Sequence, residues 1–128
     1  MLNLVLISIA AISLIVGGIG IMNIMLANIM ERISEIGLRR AIGARRADIR
    51  NQFLFESTII SVVGGFIGLA LGLSAGAAVA FLADIPFAFA WESMLLSFFI
   101  SVAVGVVFGL VPAVRASRID PIEALHSE

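Results

Sequence analysis

Residues 4–30 read LVLISIAAISLIVGGIGIMNIMLANIM, an apolar run broken only by Ser8, Ser13, Asn23 and Asn28. A helix that crosses a bilayer needs about 20 mostly apolar residues, and this run exceeds that length. Two more runs follow. One extends from Phe53 to Ala83 with Glu56 near its start, and the other from Ser93 to Ala113. The first run lacks a basic leader, and its apolar stretch is too long for a signal peptide. It reads as a membrane span.

The rest of the composition agrees. Of 128 residues, 61% are hydrophobic and only 13% charged, where a soluble domain carries about a quarter charged residues. So much apolar surface cannot be hidden in one small core. Lipid is its natural solvent. The expected fold class is all-α, with three transmembrane helices at about 3–30, 53–83 and 93–114.

All eight basic residues are arginines, at positions 32, 39, 40, 45, 46, 50, 115 and 118. Six stand between the first and second runs, and two follow the third. The link from Asp84 to Glu92 has two acids and no base. Loops rich in arginine beside membrane spans face the cytoplasm. The rule places 31–52 and the tail 115–128 in the cytoplasm, and the N-terminus and the 84–92 link outside. Trp91 falls in that outer link, where an interfacial anchor belongs. A nucleic-acid patch would also collect arginines, but spans directly beside both clusters make topology the better reading. No nucleic-acid partner is expected.

Chemistry is sparse. Cysteine is absent and His126 is the only histidine, which leaves no zinc cluster. Without lysine the chain cannot form a phosphate loop of the Walker type. An enzyme within the membrane would need paired carboxylates or a nucleophile with a base, and only Glu56 is available. No catalytic, cofactor or metal residue is expected, and the chain is not read as an enzyme. Glu56 lies one turn inside the arginine end and is read as an interfacial polar residue, with Arg50 or Asn28 as its partner. Asp120 reads as the N-cap of a short helix, with Pro121 first in it and Glu123 reaching back.

Small residues recur at four-residue intervals: Gly64, Gly68, Gly72 and Gly76 in the second span, and Ser97, Ser101, Gly105, Gly109 and Ala113 in the third. Such rows let membrane helices approach closely. Both are read as packing ridges facing other helices. The short link at Asp84-Ile85-Pro86 makes the two spans antiparallel neighbours.

The segment 31–50 carries more than charge. As a helix it gathers Glu31, Arg32, Glu35 and Arg39 on one side and Ile33, Ile36, Gly37 and Ala41 broadly opposite. Glu35 precedes Arg39 by four, the favourable order for an ion pair. Gly43 reads as a helix stop, with a restart near Ala47 where Asp48 suits the positive end of the dipole. Gly37, Ala41, Gly43 and Ala44 offer exposed backbone for docking a partner.

Glu31-Arg32, Glu35-Ile36-Gly37, Arg39-Arg40-Ala41-Ile42-Gly43-Ala44, Gln52-Phe53-Leu54 and Glu56 together resemble the MacB/FtsX-type ABC transporter permease family. The ending Pro112-Ala113, Arg115-Ala116-Ser117-Arg118 and Asp120-Pro121-Ile122-Glu123-Ala124-Leu125 is similar as well, in the same order. The resemblance covers nearly the whole chain. It places the three spans on the last three of the family's four membrane helices, after the first helix and an extracytoplasmic domain, the part that substrate recognition in the family involves. It implies a permease subunit in the bacterial inner membrane, working as a homo- or heterodimer. It also implies a separate nucleotide-binding subunit that holds ATP and magnesium and touches residues 31–44. Glu31, Glu35, Gly37, Arg39, Arg40, Ala41, Gly43 and Ala44 are thereby the expected coupling residues. The function implied is coupling of ATP hydrolysis to export or to motion of the extracytoplasmic domain. The alternative is a membrane subunit that transports nothing and transmits force, as in control of cell-wall hydrolases.

Overall fold

The computed structural model describes residues 1–86 and 89–125, apart from the side chains of Glu123 and Leu125. The expectations for His126 and for the Glu123 side chain lie outside the described residues. The described chain is all-α, with helices α1 (Leu2–Glu31), α2 (Ile33–Ala41), α3 (Arg46–Leu82), α4 (Trp91–Ser117) and α5 (Pro121–Leu125). Among the described residues there is no strand.

Helices α1, α3 and α4 are each long and apolar enough to span a membrane. Helix α3 has 37 residues and is therefore about 55 Å long at 1.5 Å per residue. The hydrocarbon core is about 30 Å thick, so α3 must tilt or protrude. It starts at Arg46, well before the apolar run begins at Phe53, because Asp48 caps it: the Arg45 backbone N–H donates to Asp48 Oδ2 at 3.0 Å. Its far end closes on the Ile85 N–H, which donates to the Ala80 carbonyl at 3.0 Å, with Asp84 in the left-handed region at φ 54°. That wrap turns the chain toward α4.

Helix α4 is central. It packs along both α3 and α1, which scarcely meet each other. The contact is concentrated at the end where the arginines lie. There Met25 and Ile29 of α1, Ile36 of α2, Ile49 and Phe53 of α3, and Ala113 and Ala116 of α4 form one buried cluster. Toward the opposite end the helices present Leu4, Ile7, Ile12, Phe66, Leu71, Val79 and Phe99 outward. Exposed aliphatic surface on every side is what a lipid solvent requires. Pro112 sits inside α4 and is buried; lacking an N–H, it leaves the Phe108 carbonyl without its usual helical donor. Beyond α4, the Ile122 N–H donates to Asp120 Oδ1 at 2.9 Å, so Asp120 caps α5.

Candidate functional site

Helix α2 stands at the arginine end between two joints. One is the single-residue break at Arg32, with φ −109° and ψ 17°. The other is Gly43, with φ +108°. At this second joint the Ala44 N–H donates to the Arg39 carbonyl at 3.0 Å and the Gly43 N–H to the Arg40 carbonyl at 3.2 Å. This pair of bonds is the Schellman closure, which calls for a left-handed residue and hence glycine.

One charged edge of α2 is organised around Glu35. Its carboxylate accepts from Arg32 Nε at 2.9 Å and pairs with an Arg39 terminal nitrogen at 2.6 Å. The hydrogen bond from Arg32 holds the Glu35 carboxyl below its ordinary range, and the same bond raises Arg32. Arg39 also donates to Gln52 Oε1 at 2.7 Å, which ties α2 to the first turns of α3. Among the described residues only Arg32 and Arg39, of the eight arginines, join an ion pair. Arg45, Arg46, Arg50, Arg115 and Arg118 are exposed. Arg40 is half-buried, and its Nε is shielded and takes no hydrogen bond among the described residues.

The inner face of α2 is Ile36 and Gly37, both buried. Gly37 was expected to offer backbone to a partner, but α5 already covers it. A Cβ there would stand 2.5 Å from the Ala124 Cβ and 3.5 Å from the Pro121 carbonyl oxygen. Ala41, expected on the inner side with Ile36, is exposed; it lies about 40° round the helix beyond Gly37, on the side away from Ile36. The outward face is Ser34, Leu38, Ala41 and Ile42. Leu38 is 55% exposed and Ile42 80% exposed. Glu31 and Gly43 are also exposed, while Ala44 is partly buried against the core. Leu38 and Ile42 were not singled out from sequence, although their four-residue spacing beside the charged edge was a usable signal.

The two packing rows fare differently. On α4 the row is engaged: Gly105 meets Ser61, and Gly109 meets Ser57. On α3 the row in contact is Ser57, Ser61 and Gly65, in line with buried Ile49 and Phe53, one residue away from the expected Gly64 row. A Cβ on Gly65 would touch the Phe98 ring at 3.0 Å, whereas one on Gly64, Gly68 or Gly72 would meet nothing within 4 Å. Gly76 is exposed. One residue rotates the face by about 100°, and the α3 surface opposite α4 is set by the Phe53 line. Gly64, Gly68 and Gly72 instead line an open groove of about 440 Å³ with Ser93, Ser97 and Phe98 of α4. The seam serines do not bond across helices. Ser61 Oγ donates to the Ser57 carbonyl at 2.8 Å and Ser57 Oγ to the Leu54 carbonyl at 2.9 Å, so each hydroxyl is satisfied within its own helix and leaves a small surface for packing.

Glu56 is half-buried on α3, and among the described residues it makes no hydrogen bond or ion pair. Neither expected partner reaches it. Arg50 lies six residues away on a different face of the helix and instead donates to Asn51 Oδ1 at 3.5 Å. Arg32 feels the Glu56 charge, but less than that of its own partner Glu35. Among the described residues no group of three His, Asp or Glu side chains gathers as a metal site would need.

Three long apolar helices and a short amphipathic helix at the arginine end define a multi-pass α-helical membrane protein. The family model described as FtsX-like permease C-terminal matches residues 7–121, and the chain belongs to that family of ABC transporter permeases. It is 54% identical to the pyoverdine export ATP-binding/permease protein PvdT of Pseudomonas putida over 127 residues, covering 99% of this chain and 19% of that protein. It is 53% identical to the macrolide export ATP-binding/permease protein MacB of Bdellovibrio bacteriovorus, with 99% and 20% covered. An uncharacterised ABC transporter permease of Bacillus subtilis, YknZ, is 46% identical, with 94% of this chain and 30% of that protein covered. The chain thus spans about a fifth of the two export proteins and under a third of the third relative.

Proposed function

We propose that this chain is the coupling end of an ABC export permease in the bacterial inner membrane, with α2 docking an ATP-binding subunit or domain. In this reading the arginine end is cytoplasmic, the N-terminus faces outward, and two permeases assemble in each complex. ATP and magnesium are held by the partner, and no residue of this chain touches them. Two relatives carry ATP-binding and permease in one name, so the partner is a subunit in some complexes and a domain of the same chain in others.

The observation that carries the reading is the outward face of α2. Leu38 and Ile42 are apolar and exposed at the arginine end, with exposed Arg45 and Arg46 directly after them. An apolar pair with a basic border fits a cleft with an acidic rim. Force applied to that face reaches α3 through the Arg39–Gln52 bond. Leu38→Asp or Ile42→Asp in the full complex should reduce co-purification of the ATP-binding partner by at least about tenfold, the effect of losing one buried anchor. Gly64→Ala, on the open groove, should leave it unchanged. Co-purification of both aspartate variants at the wild-type level would sink the docking reading.

A further inference from the structure

We propose that α5 is a clamp that seats α2 through the Gly37–Ala124 contact, so that α2 and the arginine end of α4 move as one piece. The proposal rests on reading α2 as the docking helix.

A nine-residue helix is too short to hold its shape or direction in water by itself. Helix α2 also has a joint at each end, Arg32 and Gly43. Two joints leave a short helix free to swing about the line between them. Resisting that swing needs grips away from the line. On one side the Arg39 bond to Gln52 holds α2 to α3, and Ile36 lies in the buried cluster that also holds Ile49 and Phe53. On the other side lies α5.

The α5 contact is close. Only the missing side chain of Gly37 admits Ala124, itself 1% exposed. Helix α5 is in turn tied to α4 by the short link 118–120. Ala116 and Ser117, at the end of α4, are buried; Ile119 packs against the core; and Asp120 caps α5 directly after it. The path from Gly37 runs through Ala124 and α5 to the short link 118–120, whose Ile119 is anchored on the core at the end of α4. A push on Leu38 or Ile42 passes along it to α4, the helix that touches both other spans.

The geometry allows an exchange of one methyl group. Gly37→Ala inserts a Cβ against Ala124, and Ala124→Gly removes the methyl it strikes. The full chain, reconstituted in lipid nanodiscs with its ATP-binding subunit or domain, would be compared as wild type, each single variant and the double variant. Gly37→Ala should speed hydrogen exchange of the α2 amides about tenfold, the effect of overpacking a close contact, even though alanine favours helix over glycine. Permease-dependent ATP hydrolysis should fall with it while the partner stays bound, since Leu38 and Ile42 are untouched. The double variant should restore both, which general destabilisation would not do. Unchanged exchange in Gly37→Ala, or a double variant no better than the single, would overturn the clamp. Altered exchange with unaltered ATP hydrolysis would overturn its role in transmission. If the wild-type chain fails to bind the ATP-binding partner, the docking reading falls, and the exchange data still decide the clamp.

Discussion

Gly105→Ala offers a sharp test of the seam between α3 and α4. The added methyl would overlap Ser61 Oγ, lie 2.5 Å from Ser61 Cβ and touch Ile21 Cδ1 of α1 at 3.4 Å. The hydroxyl can swing away only by giving up its bond to the Ser57 carbonyl, at a cost of about 0.6 kcal/mol and up to ~1.7 within a membrane bundle. The Ser61 Cβ is fixed to the backbone, so the helices must also separate, and overpacking of this kind costs about 1–3 kcal/mol. Alanine's advantage over glycine within a helix offsets about 1 kcal/mol. The net expectation is a loss of roughly 1–3 kcal/mol, which is about 5–150-fold in the folded-to-unfolded ratio. Gly68→Ala is the matched control. Its methyl meets nothing within 4 Å, so it should be neutral or stabilising by up to ~1 kcal/mol. Both variants would be unfolded reversibly in mixed micelles with rising SDS. Energy transfer between dyes on two introduced cysteines would follow the transition, and the cysteine-free chain makes such labelling unambiguous. Adding Ser61→Gly to Gly105→Ala should recover most of the loss. Equal destabilisation by Gly68→Ala, or no recovery in the double variant, would refute the assigned seam.

The end of α2 and its charged edge give two further expectations beside the docking and methyl-exchange tests. Gly43→Ala forces a side chain into φ +108° and should cost roughly 1–2 kcal/mol, seen as faster exchange at Ile42 to Ala44, while Gly64→Ala should show no such change. The Glu35 carboxyl, held down chiefly by the Arg32 hydrogen bond, should titrate below its ordinary 4.5 in a carbon-detected NMR titration, and Arg32→Gln should move it back up. A folded value below the unfolded one means the pair stabilises α2 above the ordinary carboxylate range and is lost as the pH falls through the lowered value. An unshifted Glu35 in the wild type would remove the ion pair from the account.

Much of this site was legible from residue order. Gly43 ends α2 as its position after Arg39-Arg40-Ala41-Ile42 implies, and Asp120 caps α5 through a side chain two residues before its bonded N–H. Both are local events, settled within one turn. Gly37 was not legible in the same way. Its value as exposed backbone or as a seat depends on α5, more than eighty positions later in the chain, and no local rule supplies that partner. The α3 row shows the same limit at smaller scale. Gly64-Gly68-Gly72-Gly76 is the more regular pattern, yet Ser57-Ser61-Gly65 makes the contact. The hint lay in its continuation as Ile49 and Phe53, where a row of small residues meets large ones near the arginine end. Glu56 illustrates a third case: proximity in sequence to Arg50 does not bring two side chains to one face.

The amino-acid sequence alone determined that three segments are long and apolar enough to span, at which of their ends the arginines gather, and where the short helix between the first two stops. Transfer of apolar surface into lipid has no direction and adds up along the chain, so composition and length suffice to set it. Arginine placement and a glycine stop are likewise read within a few residues. Only the tertiary structure decided which face of each helix is used. Packing between membrane helices depends on close approach of backbones, and rotation of a helix about its axis is set by the surface opposite it. That is why Gly105 and Gly65 are filled by neighbours while Gly64, Gly68 and Gly72 stand open. It is also why Gly37 is covered by α5 and Ile36 by the core, leaving Leu38 and Ile42 to face outward.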